Sequence, residues 1–391
     1  MKILCISNFY PPFFEGGYEI SISESMQYLA RQGHTVYVLC GNRGVYDQAS
    51  EPLTFSLDPI QRKLRYINYS QSSVWNKHRV EKHNYRLTKQ ACTLLKPDIV
   101  YFGNQKAISI APSLAVQNLD IPHIFDIGDD WLRTYLATGL KARLFRLIKR
   151  ILPFTIGGTV MLDPVLVPSR WMAEELQAKY SSTTLHIVPR GIEIPLPNPR
   201  KLSHPLRFVF AGRIEPLKGL DLVIEAARLI DLKSAQFSVD IYGEEDPDYA
   251  PVLHRLIKTY DLSDSFNFMG KSHNLPSILP NYDVLLMPTM AKETFGRVII
   301  EAMAAGLIVI ATNAYGPAEI IDHQTDSLLF ERGSAPALAD AIRGLMEADL
   351  QALEHMRQSA RHKVDSKYEL SLVKKQVENI LESMNTNHDH K

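Results

Sequence analysis

Residues 284–306 read VLLMPTMAKETFGRVIIEAMAAG. Val284 to Met287 make a short apolar run closed by Pro288, and Val298 to Ala305 carry helix-forming residues up to a stop at Gly306. Strand, loop and helix in that order predict one βα step of a parallel sheet. Such sheets bind ligands at the carboxyl ends of their strands, where a helix start offers unpaired N–H groups and the positive end of its dipole. The amides of Thr294, Phe295 and Gly296 are therefore expected to face an anion. Glu293 and Glu301 stand eight positions apart, roughly 12 Å along a helix. That is too far to grip one atom, but it suits the two ends of one extended ligand.

A second stretch, VFAGRIEPLKGLDLVIEAA from Val209 to Ala227, repeats the pattern: a strand over Arg207 to Ala211 turns into a helix over Leu220 to Ile230, with Arg213 and Lys218 beside the turn. A guanidinium fork and a mobile ammonium suit a diphosphate whose charge grows as its glycosidic bond breaks. Carboxylates accept from paired sugar hydroxyls, at about 1.5–3 kcal/mol per charge-assisted bond. A nucleotide sugar offers both chemistries, with a diphosphate between a ribose and a hexose. Taken singly, Glu293 reads equally as a solvated loop residue, Glu301 as a salt-bridging helix residue and the basic pair as surface charge.

The first stretch resembles the E-x7-E signature of the family 4 retaining glycosyltransferases, also called glycosyltransferase group 1. IVPRGIE (187–193) and YGPAEII (315–321) extend the resemblance over nearly the whole chain. It implies the α/β GT-B fold: two Rossmann-like domains whose parallel sheets face each other across a cleft. It also implies that Glu293 lies at the donor sugar, Glu301 at the ribose hydroxyls, and Arg213 and Lys218 at the phosphates. The implied activity is metal-independent transfer of a hexosyl group, with retention, from a UDP- or GDP-sugar to a hydroxyl acceptor in polysaccharide, glycolipid or small-glycoside synthesis. No cofactor is implied beyond that co-substrate. The chain departs from the family at Arg190, Glu245 and Ile308, where asparagine, glycine and proline are usual. Asp246 and Asp248 form an Asp-x-Asp that single-domain transferases use for a metal, but Arg213 and Lys218 already supply the positive charge. Glu319 reads as a helix cap or a donor-facing carboxylate, and the loop 269–274 as the neighbour of the base.

At the amino end, a strand from Ile3 leads through a proline-bearing loop to Gly16 and Gly17, then a helix and a second strand from Val36. This half of a Rossmann unit lacks G-x-G-x-x-G, which argues against a dehydrogenase. Glycines there let backbone approach a ligand; in the family the equivalent loop closes on the donor phosphate. On the acceptor side many family members carry a His-Asp pair, where this chain has Gly128 and Asp129. Asp129 is the candidate to orient or deprotonate the acceptor hydroxyl, and Asn104 is a second candidate by position. His34, His123 and His186 read as structural.

The domain reading is 1–195 for the first domain, 196–205 for a proline-rich linker and 206–365 for the nucleotide-sugar domain. A helix over 366–384 returns to the first domain, and 385–391 form a disordered tail. Forty-three basic residues balance 43 acidic ones, which gives no field for nucleic acid. Cys5, Cys40 and Cys92 read as reduced core residues of a cytoplasmic protein. Residues 139–154 put Leu140, Leu144, Leu147, Ile148 and Ile151 opposite Arg143, Arg146, Lys149 and Arg150. That pattern fits a peripheral membrane contact at the inner face of the membrane or a helix packed on its sheet. A sugar-nucleotide epimerase and a non-catalytic sugar-nucleotide-binding subunit are the competing functional classes.

Overall fold

The computed structural model describes residues 1–14, 16–41, 58–67, 72–129, 160–179, 184–197, 200–230, 237–272 and 274–389. The membrane-contact candidate 139–154 lies outside them. The chain forms two compact units, 1–188 with 373–391, and 189–372.

In the first unit the elements run β1 (Lys2–Ser7), α1 (Gly17–Arg31), β2 (Thr35–Gly41), β3 (Ile60–Leu64), α2 (Val74–Leu95), β4 (Ile99–Phe102), α3 (Ala111–Gln117), β5 (His123–Asp126), β6 (Val165–Val167), α4 (Arg170–Lys179) and β7 (Leu185–Ile187). The second contains β8 (Phe208–Ala211), α5 (Leu220–Arg228), β9 (Val239–Tyr242), α6 (Ala250–Thr259), β10 (Phe266–Gly270), α7 (Leu275–Ile278), β11 (Val284–Met287), α8 (Arg297–Ala304), β12 (Ile308–Thr312), α9 (Tyr315–Ile320), β13 (Leu328–Phe330), α10 (Ala335–Glu347) and α11 (Leu350–Lys367). The closing helix α12 (Leu370–Asp389) runs five residues past the expected end at Met384.

Both sheets are parallel, ordered β3-β2-β1-β4-β5-β6-β7 and β10-β9-β8-β11-β12-β13. Strand order reverses between β1 and β4 in the first and between β8 and β11 in the second. Helices cover both faces, so the central strands bury alternate residues in two cores. On β11, Val284 and Leu286 enter one cluster while Leu285 and Met287 enter the other; on β1, Ile3 and Cys5 are parted from Leu4 and Ile6 in the same way. This is why the strands read as unbroken apolar runs. Cys5, Cys40 and Cys92 are buried and free, and burial pushes the Cys40 and Cys92 thiols up to about 11 and about 12. They are unreactive core residues.

Two boundaries differ from the sequence reading. The proline-rich segment is no free linker, because Leu202 and Leu206 are buried in the second unit's core. The Arg200 guanidinium also donates to the Tyr282 carbonyl at 2.6 Å and pairs with the buried Asp283 carboxylate. The units therefore divide earlier, at Val188/Pro189. The closing helix is held to the first unit by Val373, Val377 and Leu381, which pack with Ile22, Met26 and Leu29.

The same helix carries an ion-pair network in which His34 Nε2 stands 3.0 Å and Lys375 Nζ 2.8 Å from the Glu378 carboxylate. Burial acts to raise the Glu378 pKa, but the Lys375 and His34 hydrogen bonds outweigh it and hold the carboxyl below its ordinary 4.5. A depressed folded-state pKa gives stability that is present above the unfolded value and lost as pH falls through the folded one. Hydrogen exchange along α12 should therefore accelerate, relative to β4, as pH drops below 4.5, and Glu378→Gln should remove that dependence.

Candidate functional site

Both sequence motifs of the second unit emerge at one place, the carboxyl ends of the adjacent strands β8 and β11, where strand order reverses. Ligands of open α/β sheets bind at such switch points. After β8 the chain makes a single 3₁₀ turn, Pro216–Lys218, ended by Gly219 with φ 73°. A side chain at Gly219 would run into the Pro288 carbonyl oxygen, so only glycine fits both the left-handed backbone and the approach to β11. The turn is tied to the loop after β11 through one acceptor. The Leu217 carbonyl receives the amides of Met290 at 2.8 Å and Ala291 at 3.0 Å, and the Thr289 hydroxyl at 3.2 Å.

Lys218 Nζ thereby reaches Glu293 Oε2 at 2.9 Å, with the two side chains 23% and 22% exposed. Glu301 pairs with Arg297 one helical turn earlier, Nε to Oε1 2.8 Å. Arg297 escaped the sequence reading, although a basic residue four positions before a helical glutamate is a recognisable pair. Arg213 is held differently from the expected partnership with Lys218: it lies 66% exposed and pairs with Glu215 at 3.1 Å. Glu293 and Glu301 thus each already face a cation.

Gly296 caps α8 with φ 97°, and among the described residues the Phe295 and Gly296 amides have no acceptor. The Phe295 ring turns into the core, edge-on to Tyr368 at 5.8 Å, and its backbone packs against Gly316. The loop is braced from α9, where the Gly316 amide donates to the Glu293 carbonyl at 2.9 Å. Tyr315, beside it, holds φ 58°, a left-handed conformation that costs a bulky residue on the order of 1 kcal/mol or more. The Arg332 and Lys292 cations lie 5.7 and 6.0 Å from its ring centre. Thr294 and Glu319 are half-buried in the same region.

In the first unit the equivalent reversal lies between β1 and β4, and a polar knot spans it. Asn8 Nδ2 donates to Asn104 Oδ1 at 3.1 Å, and Asn104 Nδ2 to Asp129 Oδ2 at 3.2 Å. Asn8 Oδ1 accepts the amides of Ala107 and Ile108 at 3.1 Å each. The two sequence candidates Asn104 and Asp129 are therefore neighbours, and Asn8 is the member that sequence reading missed. Asp129 is exposed. Gly16 caps α1 in an extended conformation, its amide donating to Glu19 Oε2 at 3.2 Å, and a Cβ there would meet nothing within 4 Å. Gly17 opens α1 beside it. The space around Gly16 is left open by the fold and is not forced on it by packing. His123 is structural: burial lowers its pKa, and Nδ1 meets the Ile121 carbonyl at 2.8 Å.

Two acidic groups bring potential metal ligands together. Asp246 Oδ1 accepts the amides of Asp248 at 2.9 Å and Tyr249 at 3.1 Å, which makes the Asp-x-Asp a turn. Among the described residues His34, Glu378 and Glu382 bring ligand atoms within 4.8 Å of one another. They lie at the amino end of β2, where Glu378 already meets Lys375 Nζ at 2.8 Å and His34 Nε2 at 3.0 Å.

Residues 197–363 match the model of glycosyl transferases group 1 and residues 15–195 that of glycosyltransferase family 4. The amylovoran biosynthesis glycosyltransferase of Erwinia amylovora is 27% identical over 213 residues, 53% of this chain and 51% of that protein. A putative colanic acid biosynthesis glycosyltransferase of Escherichia coli is 26% identical over half of each chain. The chain thus spans about half the length of these curated relatives. A glycosyltransferase of Rickettsia africae superposes with TM-score 0.73 at 19% identity, covering 98% of both chains. The Anabaena protein HepE, in complex with UDP and glucose, gives 0.71 at 18% identity, over 98% of this chain and 100% of the other. Two family models that together cover nearly the whole chain, and a shared fold of two parallel-sheet units, place this protein in the group 1, family 4 glycosyltransferases with the GT-B fold.

Proposed function

We propose that the protein transfers a hexosyl group from a nucleoside diphosphate sugar to a hydroxyl acceptor, retaining the anomeric configuration and using no metal, in the synthesis of a bacterial polysaccharide or glycoconjugate. The observation that carries this reading is the Lys218–Glu293 pair held at the β8/β11 switch point, next to the Phe295 and Gly296 amides that have no acceptor among the described residues. A diphosphate is a stronger competitor for the ammonium than a single carboxylate. Its arrival draws Lys218 onto phosphate oxygen and frees Glu293 to accept the hydroxyls of the donor sugar. Arg213, exposed on the neighbouring turn, supplies the second cation, and Glu301 takes the ribose hydroxyls while Arg297 fixes its rotamer. Charge that builds on the leaving oxygen is met by groups already in place, where such stabilisation is largest. In the first unit Asp129, set by Asn104, is the residue that orients the acceptor hydroxyl. The leaving phosphate takes the proton of an acceptor attacking from the same face. The relatives named for amylovoran and colanic acid biosynthesis support the polysaccharide assignment.

A panel of UDP-, GDP- and ADP-sugars tests this. Nucleotide release that requires an added alcohol, with an unchanged rate in EDTA and a product of donor configuration by NMR, is the expected result. An isomerised sugar would make the protein an epimerase, and binding without turnover a non-catalytic subunit. Glu301→Gln should weaken nucleotide binding by about tenfold, the loss of one charge-assisted hydrogen bond, with little change in kcat at saturating donor. Calorimetry reads the first and initial rates the second.

A further inference from the structure

Among the described residues six that are not glycine hold a positive φ, and Tyr315, at 58°, is the only aromatic one. Its ring centre lies 5.7 Å from the Arg332 guanidinium and 6.0 Å from Lys292 Nζ. Those distances are at the outer reach of a cation–π attraction, and both cations are exposed, where it is weakest. The two contacts therefore do little more than offset the strain of a left-handed tyrosine, which a glycine would avoid. Stability leaves the ring unexplained, and strain of this kind points to function.

The ring is also fixed in place. Arg332 donates to the Met290 carbonyl, and Lys292 immediately precedes Glu293, so both flanking cations belong to the loop after β11 or are tied to it. From α9 the Gly316 amide donates to the Glu293 carbonyl at 2.9 Å, and Gly316 sits too close to the Phe295 backbone for a Cβ. The half-buried ring of Tyr315 thus stands at a set distance from Glu293. We propose that Tyr315 selects the transferred sugar, as a rigid wall at the hexose end of the donor site. It admits a hydroxyl-sized group on the sugar carbon that faces it and shuts out a larger substituent or an epimer that points into it. A wall that cannot yield discriminates groups differing by about one methylene by roughly 10- to 200-fold. The inference rests on the reading of Glu293 as the sugar's contact.

Calorimetry with UDP- and GDP-linked glucose, galactose and N-acetylglucosamine, and with bare UDP and GDP, tests it without an acceptor. The ratio of each sugar nucleotide's Kd to that of its bare diphosphate isolates the sugar. In the parent these ratios should differ between the best and worst sugar on the order of tenfold or more. Tyr315→Gly should bring them within about threefold of one another by tightening the poor donors, with bare diphosphate affinity unchanged and the melting temperature moved by no more than about 4 °C. Tyr315→Asn, which takes the left-handed conformation readily, should behave as glycine does, and Tyr315→Phe should keep the parent's selectivity. An unchanged order and spread in the Gly and Asn variants, loss of selectivity in Tyr315→Phe, or a parent that binds every sugar equally would overturn the proposal while leaving the donor site standing. A parent that binds none of these nucleotides removes the donor-site reading itself, and the selector falls with it.

Discussion

Lys218→Ala is expected to lower kcat/KM for the donor on the order of a thousandfold, the loss that follows removal of one preorganised stabiliser of developing charge. The ammonium stands on a turn that cannot drift. Gly219 permits the reversal, and the Leu217 carbonyl binds three donors from the loop after β11. Stability should barely change, because a pair about one-quarter exposed contributes at most about 1 kcal/mol. The melting temperature therefore separates loss of chemistry from loss of fold. Lys218→Arg should recover part of the rate, since the charge survives but the guanidinium fork cannot follow one phosphate oxygen as an ammonium does. Glu293→Gln gives the complementary signature: Lys218 is left without its counter-ion, so nucleoside diphosphate binds at least as well as in the parent while transfer falls. A Lys218→Ala enzyme within threefold of the parent would leave the pair a structural strut and remove the central support for the proposed reaction.

The fold was legible because its strands are buried on both faces. Val284 to Met287 and Ile3 to Ser7 announce themselves as apolar runs, while the strand read over Arg207 to Ala211 begins one residue later, at Phe208. β13, Leu328–Phe330, was not read from the sequence. The site was legible as motifs but not as pairings. Nothing in the order of residues shows that β8 and β11 are neighbours, since strand order is set by long-range packing; without that, Lys218 and Glu293 are two unrelated charges 75 positions apart. The Leu217 knot is built on a backbone carbonyl and leaves no side-chain signature. Asn8 was invisible because its partners, Asn104 and the amides of Ala107 and Ile108, lie across the other switch point. The linker was placed late because prolines dominate the local pattern while Leu202 and Leu206, the residues that bury the segment, look like ordinary apolar residues between them.

Those backbone devices make the second large effect a glycine. A methyl group on Gly316 would stand 2.5 Å from Phe295 Cα, 2.6 Å from its nitrogen and 2.7 Å from its oxygen, so Gly316→Ala must push α9 away from the Thr294–Gly296 loop. Backbone cannot swing aside as a long side chain can, and overpacking of this kind costs about 1–3 kcal/mol. The displacement falls on the hydrogen bond from the Gly316 amide to the Glu293 carbonyl, the contact that sets the height of the carboxylate. A shift of about 1 Å at a positioning contact lowers turnover on the order of a hundredfold, so activity should fall well beyond what the lost stability explains. Gly344 supplies the control: it lies inside α10 with nothing within 4 Å of its missing Cβ, and Gly344→Ala should add about 0.5–1 kcal/mol at unchanged activity. If Gly316→Ala matches that control in both melting temperature and transfer rate, the bracing of the Glu293 loop by α9 is wrong, and with it the claim that backbone close approach holds the carboxylate at the donor.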